Sequence, residues 1–274
     1  MSQQTPVWFF TAASSGFGHY MALEALSRGH HVIASERTPS KLVPLRSTGA
    51  TIVELDVTAP LPTTEAVAKE TVAIHGYITH LVNAAGYALV GAVEETSPQE
   101  DSDIFNANVL GTLNGHRTIA NFGSIASWTG APGAALYYST KRAVSGLSEA
   151  LRFELAPFGI AVTVVEPGYF RTGFLNPGAA VQSEKRMEVY KESAAGETRR
   201  ALDRTDGRQR GDVVKGSKVV VDILAMEGVA EGKEVPVRAA LGSDSPPTIR
   251  EKMEETRKLL DEWDALYCYL RKEE

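Results

Sequence analysis

Apolar residues along this chain fall in short runs, separated by stretches of helical period. Val7 to Ala12 (VWFFTA) is the first run. A Ser/Gly segment follows, then a helical pattern through Leu23 and Leu26 that stops at Arg28-Gly29. The strand-like run recurs at His31 to Ser35, Thr51 to Leu55, Thr79 to Asn83, Thr118 to Phe122, Ala161 to Val165 and Val235 to Ala239. Continuous apolar strands alternating with helices predict an α/β protein, its parallel sheet covered on both faces. Right-handed crossovers make that sheet doubly wound. With no internal repeat or low-complexity break, residues 1–274 are expected to form a single domain.

Three further segments carry their own signals. Ser97-Pro98-Gln99-Glu100 is a capping box, with Ser97 as N-cap, Pro98 as first helical residue and Glu100 reaching back. Its helix is expected to run from Pro98 to Asn114 and to carry Asn108 in the third turn. Such a helix is about 25 Å long, and a strand from Thr118 to Ser124 spans roughly 23 Å. The crossover just closes through Gly115-His116-Arg117. From Ser183 to Asp212 half of the residues are charged, which fits a solvated helix and loop, or a flap over a ligand. Residues 172–211 are the candidate substrate lid. Gly211-Asp212 then offers a helix start before Val213 to Met226. In the tail, Ile249, Met253, Thr256, Leu260, Trp263, Tyr267 and Leu270 follow a 4-3 spacing with no Gly or Pro between Thr248 and Glu274. This predicts an amphipathic helix over 248–274. About three heptads are few for a coiled coil, so it is expected to pack on its own domain.

Composition narrows the classes. Lys and Arg number 28 against 34 Asp and Glu, a formal charge of −6, which argues against nucleic acid as a partner. The single cysteine, Cys268, excludes an internal disulfide framework and a cysteine-based structural zinc site. The histidines show no ligand spacing: His30 and His31 are adjacent, and His75 and His80 are five apart. Met1 to Val7 has no basic leader region, and no apolar run approaches the roughly 20 residues of a membrane span. The expectation is a cytoplasmic protein with no membrane partner and a small-molecule substrate.

Thr11, Ser14, Ser15, Gly16, Phe17 and Gly18 lie between the first strand and the first helix. Glycines there let the backbone approach a pyrophosphate, and the helix N-terminus supplies amides and a positive dipole end, as in Rossmann nucleotide sites. The same spacing also suits a plain turn. The second strand should end at the adenosine ribose, where an acid suits the hydroxyls of NAD and a base the 2′-phosphate of NADP. Glu36 and Arg37 stand there together, so the choice stays open. Asp56 is a candidate for the adenine edge, or a turn cap.

Tyr137 and Lys141 are four apart at the start of a helical pattern and share a face. An ammonium beside a phenol lowers its pKa from about 10 and makes it a usable acid or base near neutral pH. Tyr138 and Arg142 have the same spacing, about 100° round the helix, but arginine keeps its proton. Ser124, thirteen residues before Tyr137, is placed to donate to a carbonyl that becomes an oxyanion, or simply to end a turn.

Together these motifs resemble the single-domain form of the short-chain dehydrogenase/reductase family. Its Thr-Gly-x-x-x-Gly-x-Gly loop matches Thr11 to Gly18, with Ala12 for the first Gly. Its Asn-Asn-Ala-Gly matches Asn83-Ala84-Ala85-Gly86, with Ala84 for the second Asn. Asn108, Ser124, Tyr137 and Lys141 match the family's catalytic set. Glu166-Pro167-Gly168 matches its Pro-Gly turn, and Thr172 its nicotinamide amide contact. The resemblance covers about residues 6–175. It implies an NAD(P)-dependent enzyme interconverting a secondary alcohol and a ketone. Tyr137 would move the proton, Lys141 would lower the phenol pKa and bind the nicotinamide ribose, Ser124 would orient the carbonyl, and Asn108 would hold a relay water. Thr11, Ser14, Ser15, Gly16, Phe17, Gly18, Glu36, Arg37, Asp56, Asn83, Pro167 and Thr172, with Tyr137 and Lys141, would line the cofactor. Phe170, Phe174, Leu175, Met187 and Tyr190 suggest a fairly apolar substrate. The alternative is a catalytically weak NAD(P)-binding sensor or partner protein. Ala12 is expected to cost little if its φ is negative. The central crossover helix is shorter than the family's by on the order of a dozen residues. That helix commonly forms the subunit interface, so a homo-oligomer is in doubt.

Overall fold

A computed structural model describes residues 4–109 and 118–268, with side chains of the last helix to residue 266. The elements begin with β1 (Val7–Thr11), α1 (Gly16–Ser27), β2 (His31–Glu36), α2 (Val43–Ser47), β3 (Thr51–Glu54) and α3 (Leu61–His75). Next are β4 (His80–Asn83), β5 (Ala88–Val90), α4 (Pro98–Asn108), β6 (Thr118–Phe122) and α5 (Ala135–Leu155). The chain continues through β7 (Ala161–Pro167), β8 (Ala180–Gln182), α6 (Ala194–Thr205), α7 (Val213–Ala225), β9 (Arg238–Leu241) and α8 (Ser245–Cys268).

Seven strands form one sheet in the order β3-β2-β1-β4-β6-β7-β9, and every neighbouring pair is parallel. All of β1 is buried because both of its faces are covered. Trp8 and Phe10 pack with Met21, Ala22 and Ala25 of α1 and Val220, Val221 and Leu224 of α7. Val7 and Phe9 point the other way, onto Ile33, Ile78 and Leu81. Strand order reverses between β1 and β4, so the loops after β1, β4 and β6 border one crevice at the strands' carboxyl ends, where such sheets bind ligands.

The expected fold class is therefore the observed one, with local differences. The last strand is Arg238–Leu241 rather than Val235–Ala239, because its partners on β7 are Val164 to Pro167. The Val235 carbonyl instead accepts Arg152 Nη1 at 2.8 Å. The capping box at Ser97 forms as read, with Glu100 N donating to Ser97 Oγ at 3.2 Å and Ser97 N to Glu100 at 2.8 Å. The helix it starts is described to Asn108. The expected continuation to Asn114 and the Gly115-His116-Arg117 link lie outside the described residues. The two-stranded parallel sheet of β5 and β8 was not read from the sequence.

The tail corrects an expectation. Helix α8 forms, but every side chain from Met253 to Leu266 is exposed, so Met253, Leu260 and Trp263 of its stripe are not buried against the rest of the chain. Trp263 keeps 46% of its surface and Leu260 53%. Only the first turns are anchored, with Ser245 Oγ donating to the Glu166 carbonyl at 2.9 Å. Farther out, α8 carries ion pairs three and four residues apart, such as Lys252–Glu255 at 3.0 Å and Arg257–Glu254 at 2.8 Å, the kind that supports a solvated helix.

Candidate active site

The loop after β1 is tied to the end of β4. Thr11 Oγ1 accepts the amides of Ala84 at 3.0 Å and Ala85 at 3.3 Å. Ala12 has φ +51°, so the expectation of an inexpensive alanine is corrected. A left-handed non-glycine residue costs roughly 1–2 kcal/mol, because its Cβ crowds the following carbonyl. Gly16, at φ +58°, has the freedom the turn requires. A Cβ on Gly18 would sit 2.9 Å from the Ala12 carbonyl oxygen, so helix and loop meet closely there. Ser15 caps α1 with no side-chain cap bond, which leaves its hydroxyl and the first-turn amides for an anion. Phe17 is packing: its ring lies 5.3 Å from Phe122 and 5.0 Å from Phe170.

Ser14 Oγ donates to Glu36 at 2.6 Å, and the Arg37 amide donates to the other carboxylate oxygen at 3.0 Å. Glu36 is nearly buried and Arg37 exposed. Asp56 Oδ1 accepts both the amide and the hydroxyl of Thr58, at 2.9 and 2.7 Å, which is the turn-capping arrangement. Burial pushes the Asp56 carboxyl up, but the Thr58 bonds and Arg37 hold it below its ordinary value. Asn83 donates to Asn121 at 2.9 Å, and Asn121 to Ser148 at 3.0 Å. After Pro167, a Cβ on Gly168 would strike Asp244 at 2.0 Å. Thr172 Oγ1 accepts the Phe174 amide at 3.2 Å. Its methyl would stand 3.8 Å from a Cβ on Gly16. Thr172 and the phosphate loop therefore face each other, and the set fits a dinucleotide.

Tyr137 and Lys141 share one face of α5. Lys141 is 5% exposed. Its Nζ donates to the Phe122 carbonyl at 2.7 Å and lies 5.8 Å from the centroid of the Tyr137 ring. Burial lowers its pKa to about 8. Arg142, in the competing register, is exposed and donates to the carbonyls of Trp128 and Thr129, both at 3.2 Å. Geometry thus brings Tyr137 and Lys141 together and leaves Arg142 at the surface. The expected lowering of the Tyr137 pKa is corrected: burial pushes the phenol up, and the Ser124 hydroxyl opposes that only in part. The ammonium is aimed at the Phe122 carbonyl rather than at the phenol. Ser124 also caps a turn, accepting the Ala126 amide at 3.1 Å.

Asn108 closes the site from α4. It accepts the Tyr87 amide and donates to the Tyr87 carbonyl, each at 2.9 Å, and donates to Thr140 Oγ1 at 3.1 Å. Thr140 donates in turn to the Tyr137 carbonyl at 2.7 Å. Thr140 escaped the sequence reading, although it directly precedes Lys141. A second missed group ties Met187 and Arg199 to the connection between β5 and α4. The fully buried Glu95 accepts the Ala92 amide at 2.9 Å and the Met187 amide at 3.0 Å, and pairs with Arg199 of α6. These partners are too far apart in sequence for spacing to reveal them. The Phe174 ring lies 5.8 Å from the Tyr137 ring.

The fold and this arrangement define a nucleotide-dependent α/β enzyme class, and comparison supplies the family. The profile of the family described as short chain dehydrogenase matches residues 6–182. The chain belongs to that family and is an NAD(P)-dependent oxidoreductase. A short-chain dehydrogenase from Streptomyces avermitilis superposes with a TM-score of 0.86 at 34% identity, covering 99% of this chain and 100% of that one. Oxidoreductase BOA17 of Botryotinia fuckeliana is 32% identical over 259 residues, 88% of this chain and 90% of its own. A 3-ketodihydrosphingosine reductase of Bacteroides thetaiotaomicron is 32% identical over 69% of this chain and 73% of its own. ElxO, solved with NADP bound, has a TM-score of 0.68 at 25% identity, covering 89% of this chain and 100% of that one. Among the described residues, no group of three or more His, Cys, Asp or Glu is placed to hold a metal, and no helix is long and apolar enough to cross a membrane.

Proposed function

We propose that this chain interconverts a secondary alcohol and a ketone on a small, fairly apolar substrate. The observation that carries the reading is the grouping of Tyr137, Lys141 and Ser124 beside the loop formed by Thr11 to Gly18. NAD or NADP exchanges the hydride when bound. Ser15, Gly16 and the α1 N-terminus would hold its pyrophosphate, Glu36 and Arg37 would meet the adenosine ribose, Asn83 and Pro167 would border the ring, and Thr172 would take the amide. Lys141, bonded to the Phe122 carbonyl at 2.7 Å, would bind the ribose hydroxyls. Tyr137 moves the proton at the substrate oxygen, and Ser124 donates to that oxygen as charge develops. Asn108 fixes the loop at Tyr87 and, through Thr140, the turn carrying Tyr137. Phe174 and the segment 172–211 close over the substrate, within a single domain spanning 1–274.

The test is NADH and NADPH oxidation with a panel of ketones. Tyr137→Phe is expected to lower kcat by about 10²–10⁴, the range for a lost general acid, while Tyr138→Phe stays near wild type. Loss confined to Tyr138→Phe overturns the register. Cofactor binding with no turnover on any ketone favours the sensor reading.

A further inference from the structure

Glu166 ends the apolar run of β7 with a fully buried carboxyl group that the proposed reaction leaves unused. Its Oε2 accepts the Trp128 indole N–H at 2.8 Å, and its Oε1 lies 2.9 Å from Ser145 Oγ. Ser145 Oγ lies 2.9 Å from Ser127 Oγ. Ser127 Oγ donates to the Lys141 carbonyl at 2.9 Å and accepts the Ser124 amide at 3.3 Å. Each hydroxyl has one proton to give. Ser145 therefore cannot serve both Ser127 and Oε1 of Glu166. With Ser127 giving its proton to the Lys141 carbonyl and Ser145 giving its own to Ser127, none remains for Oε1. That contact is a hydrogen bond when the carboxyl itself carries the proton. An ionised Glu166 would claim the Ser145 proton, Ser127 would turn toward Ser145, and the Lys141 carbonyl would lose its Ser127 bond.

We propose that Glu166 is a positioning residue that works as the neutral carboxylic acid and, through Ser145 and Ser127, holds the Ser124 turn against the Lys141 turn of α5. The proposal rests on the reading that Ser124, Tyr137 and Lys141 carry the chemistry. The charged group facing Glu166 is Arg238 of β9, with Nη1 3.5 Å from Oε1. Its closer partner is Glu149 of α5 at 2.7 Å, and its guanidinium lies 4.4 Å over the Trp128 ring. From α8, Ser245 meets only the Glu166 backbone carbonyl. The Lys141 ammonium is bonded to Phe122 instead. Burial pushes the Glu166 carboxyl above its ordinary value, with Trp128, Arg238 and the two serines pulling the other way. The chain has little slack: a Cβ on Gly123 would lie 2.7 Å from Val164 and 3.2 Å from both serine hydroxyls.

Three variants and one spectrum test this. Glutamine reproduces the neutral acid, donating from its amide to Ser145 and accepting from Trp128. Glu166→Gln is therefore expected to keep kcat while losing a basic limb present in the wild-type pH profile. Glu166→Ala and Ser145→Ala are expected to lower kcat five- to tenfold, about the scale of one lost positioned hydrogen bond, with little change in cofactor KM. Difference infrared spectroscopy near neutral pH is expected to show a protonated carboxyl band that Glu166→Gln removes. Absence of that band, or Glu166→Gln as impaired as Glu166→Ala, overturns the proposal. If Ser145→Ala does not fold, the band and the glutamine variant still decide. Tyr137→Phe separates the two readings. Retained turnover there sinks the proposed function and leaves the infrared result to judge the Glu166 proton. An inactive Tyr137→Phe beside a wild-type Ser145→Ala sinks the positioning role alone.

Discussion

Ala12 and Lys141 show how residue-scale costs accompany the site. Ala12 takes a left-handed conformation that glycine adopts freely. Ala12→Gly is expected to stabilise the chain by about 1 kcal/mol, seen as a higher denaturant midpoint at unchanged slope. Lys141 is buried, and its pKa falls to about 8 against 10.5 for the free side chain. Below about 8 the folded chain carries a buried ammonium that the unfolded chain solvates, so the group destabilises the fold there. The penalty fades as pH rises from about 8 to 10.5. That gap corresponds to about 3 kcal/mol at 1.36 kcal/mol per decade of proton affinity. Lys141→Met is expected to melt higher than wild type at pH 7, with the difference shrinking toward pH 10, and to lose turnover. Equal melting curves at both pH values would contradict the burial argument. Tyr137, Lys141 and Ser124 were legible because their spacing on a strand end and a helix is local. Thr140, Glu95 and Glu166 were not, because their roles depend on partners brought from other elements.

At the scale of elements, the segment proposed as a lid is held by a charge pair rather than by apolar packing alone. Glu95 is fully buried and Arg199 mostly so. Removing one partner strands a buried charge, which typically costs about 3–5 kcal/mol. The amides of Ala92 and Met187 still serve Glu95, so Arg199→Met is expected near the lower end, about 3 kcal/mol. Faster proteolysis between residues 183 and 193 and a higher substrate KM should accompany it. Glu95→Gln in the same chain should restore part of the stability, and if it restores none the ion pair is not what holds the lid. Strand runs and the capping box at Ser97 were legible because burial on both faces and the Ser-Pro-x-Glu signature are written in consecutive residues. The β5–β8 sheet was not, since Ala88–Val90 and Ala180–Gln182 are short and join segments far apart in the chain.

At the scale of the whole molecule, the exposed tail makes α8 dispensable beyond its anchored start. Removing residues from Leu259 onward is expected to leave turnover and melting temperature near those of the full chain, because Leu259, Leu260, Trp263 and Leu266 are all exposed. Sedimentation of the full chain is expected to show no stable tetramer held through the α4 face, given the shortened crossover read from the sequence. A tetramer burying that face would refute it. A truncation that lowers the sedimentation coefficient would assign the stripe at Met253, Leu260 and Trp263 to an intermolecular contact.

The order of strands and helices, the phosphate loop and the Tyr137–Lys141 spacing were determined by the sequence itself, because each rests on periodicity or on neighbours within a few residues. Tertiary structure decided what those signals left open. It set the left-handed Ala12, chose between Lys141 and Arg142 by burying one and exposing the other, and raised the Tyr137 phenol by desolvation. It also turned the apolar stripe of α8 outward and set Glu166 among Trp128, Ser145 and Arg238. These outcomes depend on how much water remains around each group, and that is fixed only when distant segments pack together.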